Sequence, residues 1–136
     1  MQRLKTRPQF QAALAGSVVA QTPHFALHRH RLNAVQVEKH NTLTSVKSVL
    51  FGVDAVWLGA MVPKRWAKRA VTRNTIKRQI YALATDIASN YPHAAHVVRL
   101  RREFARVQFV SATSESLKEA VRLELQALLQ MGIPKP

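Results

Sequence analysis

Two hydrophobic periods alternate along this chain, and each change of period marks an element. Thr6-Arg7-Pro8-Gln9 has the form of a helix-capping box, with Pro8 where a missing N–H does no harm. Phe10, Ala13 and Leu14 follow at helical spacing, and Gly16 offers a stop. From Phe25 to Leu32 the period falls to two. Phe25, Leu27, Arg29 and Arg31 share one face and Ala26, His28 and His30 the other, which predicts a strand. Asn33 to Thr44 is polar and reads as a loop, Val46 to Phe51 as a strand, and Gly52-Val53-Asp54 as a turn. Ala55 to Val62 is almost wholly apolar, as a strand buried on both faces would be, and Pro63 ends it. The helical period returns from about Thr72 to Asn90, where Ile76, Ile80, Leu83 and Ile87 form one stripe and Tyr91-Pro92 terminates it. His96 to Leu100 is a further strand, with His96 expected at a strand edge. Ser114 can cap a last helix whose inward stripe is Leu117, Val121, Leu125 and Leu128, closed by Gly132 and Pro134. The order α-β-β-β-α-β-α predicts an α+β fold, with helices over a small central sheet, in a single domain over residues 1–136.

Charge changes the picture most. The 136 residues carry 21 Lys and Arg against 7 Asp and Glu, a formal net charge of +14. Such an excess repels itself in a compact state and calls for a polyanionic partner, with nucleic acid ahead of an anionic membrane surface. The absence of cysteine excludes disulfides and thiolate metal sites. Met1–Lys5 is basic with no apolar region of signal-peptide length after it. The longest apolar run falls far short of the roughly 20 residues of a spanning helix. A soluble, cytoplasmic protein is the expectation.

The positive charge is not scattered. Lys64 to Arg78 contains seven Lys or Arg and no acidic residue. At about 100° per residue, Arg73, Asn74, Lys77, Arg78 and Tyr81 spread along one flank of the helix beside its apolar stripe, and Thr75 falls off that band. Lys64, Arg65, Lys68 and Arg69 lie in the connection before it. The first N–H groups of the helix, near Thr72 to Thr75, could receive a phosphate. A helix with a core stripe beside its basic flank has no exposed apolar face for a membrane. Of the six histidines, His28 and His30 share a strand face, yet no paired carboxylate supports acid–base chemistry there. Trp57 is assigned to the core. Trp66 sits among cations, where it could stack on RNA or pack under the loop. Arg99, Arg101, Arg102 and Arg106 form a second basic cluster.

Ala70-Val71-Thr72-Arg73-Asn74-Thr75-Ile76-Lys77-Arg78 resembles the Ala-x-x-Arg-Asn-x-Ile-Lys-Arg core of the bacterial ribonuclease P protein subunit. Arg3-Leu4 with Phe10, Phe25-Ala26-Leu27-His28, Leu58-Gly59-Ala60-Met61-Val62-Pro63-Lys64-Arg65 and His96-Val97-Val98-Arg99 are similar to flanking segments of that family in the same order. The resemblance implies a two-layer α/β sandwich, ribosomal-protein-like, with a left-handed βαβ crossover that the general handedness rule would not predict. It also implies that catalysis belongs to an RNA subunit, which holds most of the Mg²⁺ and removes the 5′ leader of precursor tRNA, so that no catalytic residue and no metal site of its own is expected in this chain, while Arg73, Asn74, Lys77 and Arg78 would contact that RNA or organise metal near it. Lys64, Arg65, Lys68, Arg69, Arg73, Asn74, Lys77 and Arg78 would then bind RNA. Phe10, Phe25, His28 and Tyr81 would lie at the leader cleft, where stacking on a base is sequence-tolerant. The partners implied are the catalytic RNA and precursor tRNA, with no membrane and no obligate protein. The competing expectation is a structural RNA-binding protein without a role in cleavage. Four positions depart from the family pattern: Thr75 and Tyr81 stand where Arg is common, His28 replaces a Tyr, and Leu14 an aromatic.

Overall fold

The computed structural model describes residues 1–32, 50–104 and 115–134 of the chain. Its elements are β1 (Gln2–Arg3), α1 (Arg7–Leu14), β2 (Ser17–Gln21), β3 (Phe25–Arg31), β4 (Trp57–Met61), α2 (Ala70–Ile87) with a 3₁₀ turn over Ala88–Asn90, β5 (Ala94–Leu100) and α3 (Glu115–Met131). The Ser114 cap, Arg106 and most of the expected 46–51 strand lie outside the described residues. Within that strand's span, Leu50 and Phe51 are not in a strand.

The capping box forms as its residue types require. The Thr6 hydroxyl accepts from the Gln9 amide, and the Gln9 side chain accepts from the amides of Thr6 at 3.1 Å and Lys5 at 2.7 Å. Gln9 then donates to the Leu50 carbonyl at 2.9 Å, which anchors the segment leading into β4. Gly16 ends α1 for a reason other than backbone freedom, since no glycine among the described residues has positive φ. A Cβ on Gly16 would lie 2.0 Å from the Arg29 carbonyl oxygen. Only glycine lets β3 pass this close, and β2 starts on the next residue.

The sheet has the order β1-β4-β5-β3-β2. β4 pairs parallel with β1 and β5, and β3 pairs antiparallel with β5 and β2. β1 and β2 were not anticipated. A two-residue strand carries no periodicity, and β2 has a register shift between Val18 and Ala20 that breaks its alternation. Two clusters cover the two faces of the sheet. On one, α2 and α3 pack over Phe25, Leu27, Leu58, Ala60, Val98 and Leu100 through Ile76, Ile80, Ala84, Leu117, Val121, Leu125, Leu128 and Leu129. On the other, α1 lays Phe10, Ala13 and Leu14 against Trp57, Ala95 and Val97. The α3 stripe is buried as its spacing requires. In α2 the fully buried positions are Ile76, Ile80 and Ala84, while Leu83 and Ile87 are only partly covered.

His96 is in the middle of the sheet, not at an edge, because β5 is its central strand. It is wholly buried. Its Nδ1–H donates to the Trp57 carbonyl at 3.0 Å, and Nε2 accepts from Arg29 Nε at 2.9 Å. Arg29 also donates to the Gly132 carbonyl and lies over the Tyr91 ring. Tyr91 donates to the Leu129 carbonyl at 2.7 Å, and burial pushes its hydroxyl pKa up to about 12. This chain of polar groups ties the end of α3 to β3 and β5. From the middle of α3, Glu124 accepts from the Thr22 hydroxyl, the His24 amide and His24 Nδ1, fixing the turn between β2 and β3.

The His96 network sets a pH dependence. Burial pulls the imidazole from the ordinary 6.5 down to about 4. Above 6.5 the site is neutral in both states and its stability is fully present. Between the two values the unfolded chain binds a proton that folded His96 refuses, so stability falls as pH falls, by up to roughly 3 kcal/mol. The urea midpoint is expected to drop between pH 6.5 and 4.5 in wild type and less steeply in His96→Gln. Equal slopes in the two proteins would exclude this account.

Candidate nucleic-acid interface

The cations predicted to act together do lie on one continuous path. After β4, the Pro63 carbonyl accepts from the amides of Trp66 at 3.0 Å and Ala67 at 3.1 Å, closing a turn. Ala67 is buried and Trp66 packs against the core, its indole Nε1 also buried, so Trp66 belongs under the loop. The Arg65 guanidinium lies 5.3 Å from the Trp66 ring centroid. With Trp66 and Ala67 turned inward, Lys64, Arg65, Lys68 and Arg69 are left exposed. α2 begins at Ala70, slightly earlier than the periodicity suggests, and no side chain caps its first amides. Asn74 and Arg78 are exposed and Lys77 is half-buried.

Among the described residues no cation from Lys64 to Arg78 pairs with a carboxylate; the ion pairs are His24–Glu124, His93–Asp54, Lys118–Glu115 and Arg122–Glu119. The positive potential of the flank is therefore unneutralised from within. Arg73 is the exception in its bonding. Its Nη1 donates to the carbonyls of Ala67 at 3.0 Å and Lys68 at 2.8 Å. Thr75 donates back to the Val71 carbonyl at 2.8 Å, which agrees with its place off the basic band.

The four residues expected at the leader cleft separate into two groups. Phe10 and His28 lie on the α1 side of the sheet. The Phe10 ring rests on Gly59, where a Cβ would come within 2.5 Å of it. His28 is nearly buried, and Arg99 Nε donates to its Nε2 at 3.3 Å. Burial and then the Arg99 charge hold its pKa below the ordinary histidine value; the Leu14 carbonyl offsets part of this without reaching hydrogen-bonding geometry at Nδ1. Register places Arg99 opposite Ala26 and Met61, and His28 opposite Val97 and Val18. Phe10, Met61, Arg99 and the exposed Val18 thus share a face with His28. Arg99 and Met61 were missed as members of it; strand parity alone could have found them.

Phe25 and Tyr81 are elsewhere. Phe25 has no exposed surface and sits in the core beneath α3, tilted against Phe104 at 6.0 Å. The alternation that makes β3 a strand puts Phe25 and His28 on opposite faces, so Phe25 cannot stack on a ligand bound beside His28. Tyr81 reaches from α2 to the β4 edge. The Ala60 amide donates to its hydroxyl at 3.1 Å, and the Arg3 guanidinium covers its ring at 4.0 Å. In the second basic cluster, Arg101 bonds through its amide to the His24 carbonyl and through its side chain to the Pro23 carbonyl, so it braces the hairpin turn. Among the described residues no three His, Asp or Glu side chains converge to hold a metal ion, and no helix is long and apolar enough to cross a membrane.

These features define a small, strongly basic α+β protein with seven of its 21 Lys and Arg on one loop-and-helix flank beside the sheet. A family model described as Ribonuclease P matches residues 1–127, and the chain belongs to that family. The ribonuclease P protein component of a Nostoc species is 30% identical over 82 residues, 59% of this chain. The match spans 59% of that relative, less than two thirds of its length. The ribonuclease P protein of Staphylococcus aureus has the same fold, with a TM-score of 0.66 at 18% identity over 98% of this chain and 99% of the other. That of Thermotoga maritima gives 0.55 at 18% identity over 93% and 97%.

Phe10→Ala is expected to weaken binding of a single-stranded oligoribonucleotide with little loss of stability, by about 1–3 kcal/mol if one base stacks there. Phe25→Ala should cost about 3–5 kcal/mol of folding stability through the cavity it leaves. Titration calorimetry and urea unfolding on both variants check the assignment, and the reverse pattern would exchange the two roles.

Proposed function

We propose that this chain is the protein subunit of ribonuclease P, binding a catalytic RNA through the Lys64–Arg78 flank and the 5′ leader of precursor tRNA along the α1 face of the sheet. The observation that carries the reading is the basic flank itself. Seven cations sit on a short loop and the first turns of one helix, uninterrupted by acid and unpaired with carboxylates among the described residues, in a chain of this family. A rigid array of that kind suits a phosphate backbone, whose charges recur at fixed spacing. Lys64, Arg65, Lys68, Arg69, Lys77 and Arg78 supply charge, and Asn74 adds an amide able to meet a ribose, a base edge or a hydrated ion. Phe10 offers a ring edge for a leader base, and Arg99 a cation for the phosphate next to it.

On this reading the hydrolytic centre and its Mg²⁺ belong to the RNA. The protein contributes binding and orientation, so that the scissile phosphate of the precursor meets the RNA's metal site. It also lowers the electrostatic cost of bringing two polyanions together. That effect is largest when divalent ions are scarce.

Reconstitution with a bacterial ribonuclease P RNA is expected to accelerate leader cleavage most at low Mg²⁺. An unchanged rate, with binding no tighter than to an unrelated RNA, would leave only a structural RNA-binding role. Arg78→Ala should weaken RNA binding and flatten the plot of log K against log salt by about 0.7–0.9 for one lost phosphate contact.

A further inference from the structure

Arg73 differs from the other cations of the flank in what it touches. It sits in the second turn of α2, and its amide donates to the Arg69 carbonyl at 3.1 Å as an ordinary helical bond. Its side chain turns back toward the loop instead of outward. The two hydrogens of one terminal nitrogen are shared between consecutive carbonyls, those of Ala67 and Lys68. No other side chain of the flank makes such bonds to the loop backbone among the described residues. The first half of the loop is held from inside, by the Pro63 turn and by the packing of Trp66 and Ala67. The second half has no such anchor. Lys68 and Arg69 are exposed, and Arg69, at the N-cap of α2, makes no side-chain cap bond. The planar fork of an arginine suits this task, because it can serve two acceptors at once while its stem lies along the helix.

We infer that Arg73 is a positioning residue: its guanidinium fixes the Lys68–Arg69 backbone, and it acts on RNA through the placement of those two cations. The inference rests on the RNA-binding reading of the flank for its consequence and on geometry alone for its mechanism. A side chain that served mainly as a phosphate ligand would contribute independently of Lys68 and Arg69. A side chain that holds their backbone will be coupled to them, because releasing the loop already costs most of what those two cations supply.

Two measurements on the full-length protein test this separately. In the absence of RNA, amide hydrogen exchange at Lys68 and Arg69, the amides of the two peptide groups whose carbonyls Arg73 holds, is expected to speed up in Arg73→Ala and to stay at the wild-type rate in Arg78→Ala. Unchanged exchange in Arg73→Ala would overturn the inference whatever the RNA results. With the catalytic RNA, Lys68→Ala and Arg69→Ala are each expected to weaken binding in the wild-type background and to change it by less than about 2-fold in the Arg73→Ala background. Their salt slopes should then also stop changing. Full additivity of the losses would make Arg73 an independent contact and overturn the inference. A wild-type protein that shows no preference for the catalytic RNA would defeat the proposed function while the exchange measurement still decides the role of Arg73. Should Arg73→Ala lose its cooperative unfolding transition, Arg73→Gln, which keeps a hydrogen-bond donor but no charge, takes its place: wild-type exchange at the loop with weakened binding would then make the charge, not the placement, the contribution of Arg73.

Discussion

Burial of β5 on both faces is the constraint from which the rest follows. The strand lies between β3 and β4, under α1 on one side and under α2 and α3 on the other. A strand so enclosed can carry a polar side chain only if each polar atom is met. His96 meets that condition with both ring nitrogens, and Arg29 and Tyr91 extend the bonding to the last turns of α3. The helix that covers the sheet is thus held by polar bonds as well as by the Leu117–Leu129 stripe. Glu124 repeats the arrangement at the hairpin turn. The middle of α3 is thus pinned to the turn before β3, and its C-terminal end to Arg29 within β3.

The same enclosure decides where the charge goes. With the sheet interior closed to solvated cations, most of the Lys and Arg behind the +14 excess sit on helices, loops and strand ends, Arg29 and Arg99 within the sheet being bonded to His96 and His28. The loop from β4 into α2 is where the rim and the core are closest in sequence: Trp66 and Ala67 face inward while their neighbours on either side face out. The inward-facing Trp66 and Ala67 tie the loop to the core between its two pairs of cations. A stiff array gives a polyanion less to order on binding, so more of the Coulomb energy survives as affinity.

Periodicity made the helices and the two apolar strands legible, because an amphipathic stripe or a continuous apolar run records burial directly. The α3 stripe and the Thr6 capping box formed as read. Elements whose identity depends on partners were not legible. β1 has two residues and exists because β4 offers it an edge. β2 has a shifted register that hides its alternation. His96 looked like an edge residue because a polar side chain on a strand usually is one; its partners, Arg29 and the Trp57 carbonyl, come from remote segments. The site was legible in its cations and less so in its aromatics. Lys64, Arg65, Lys68, Arg69, Lys77 and Arg78 needed only exposure. Phe25 was misplaced although strand parity already opposed it to His28, and Tyr81 points along the helix toward a sheet edge that no wheel contains. The turn of Arg73 toward the loop carbonyls has no sequence signature at all.

Tyr81 bears on the edge of the sheet beside β4. β1 covers β4 for only two residues, so beyond Leu58 this flank of β4 has no strand partner. Such an edge is a template on which a foreign strand can extend the sheet. The Tyr81 hydroxyl occupies the Ala60 amide, and Arg3 stacked on its ring closes the approach from outside. A single phenol thereby takes up a backbone donor on the part of the edge that β1 is too short to pair. The helix that carries the basic flank thus also supplies a partner to the edge of the sheet.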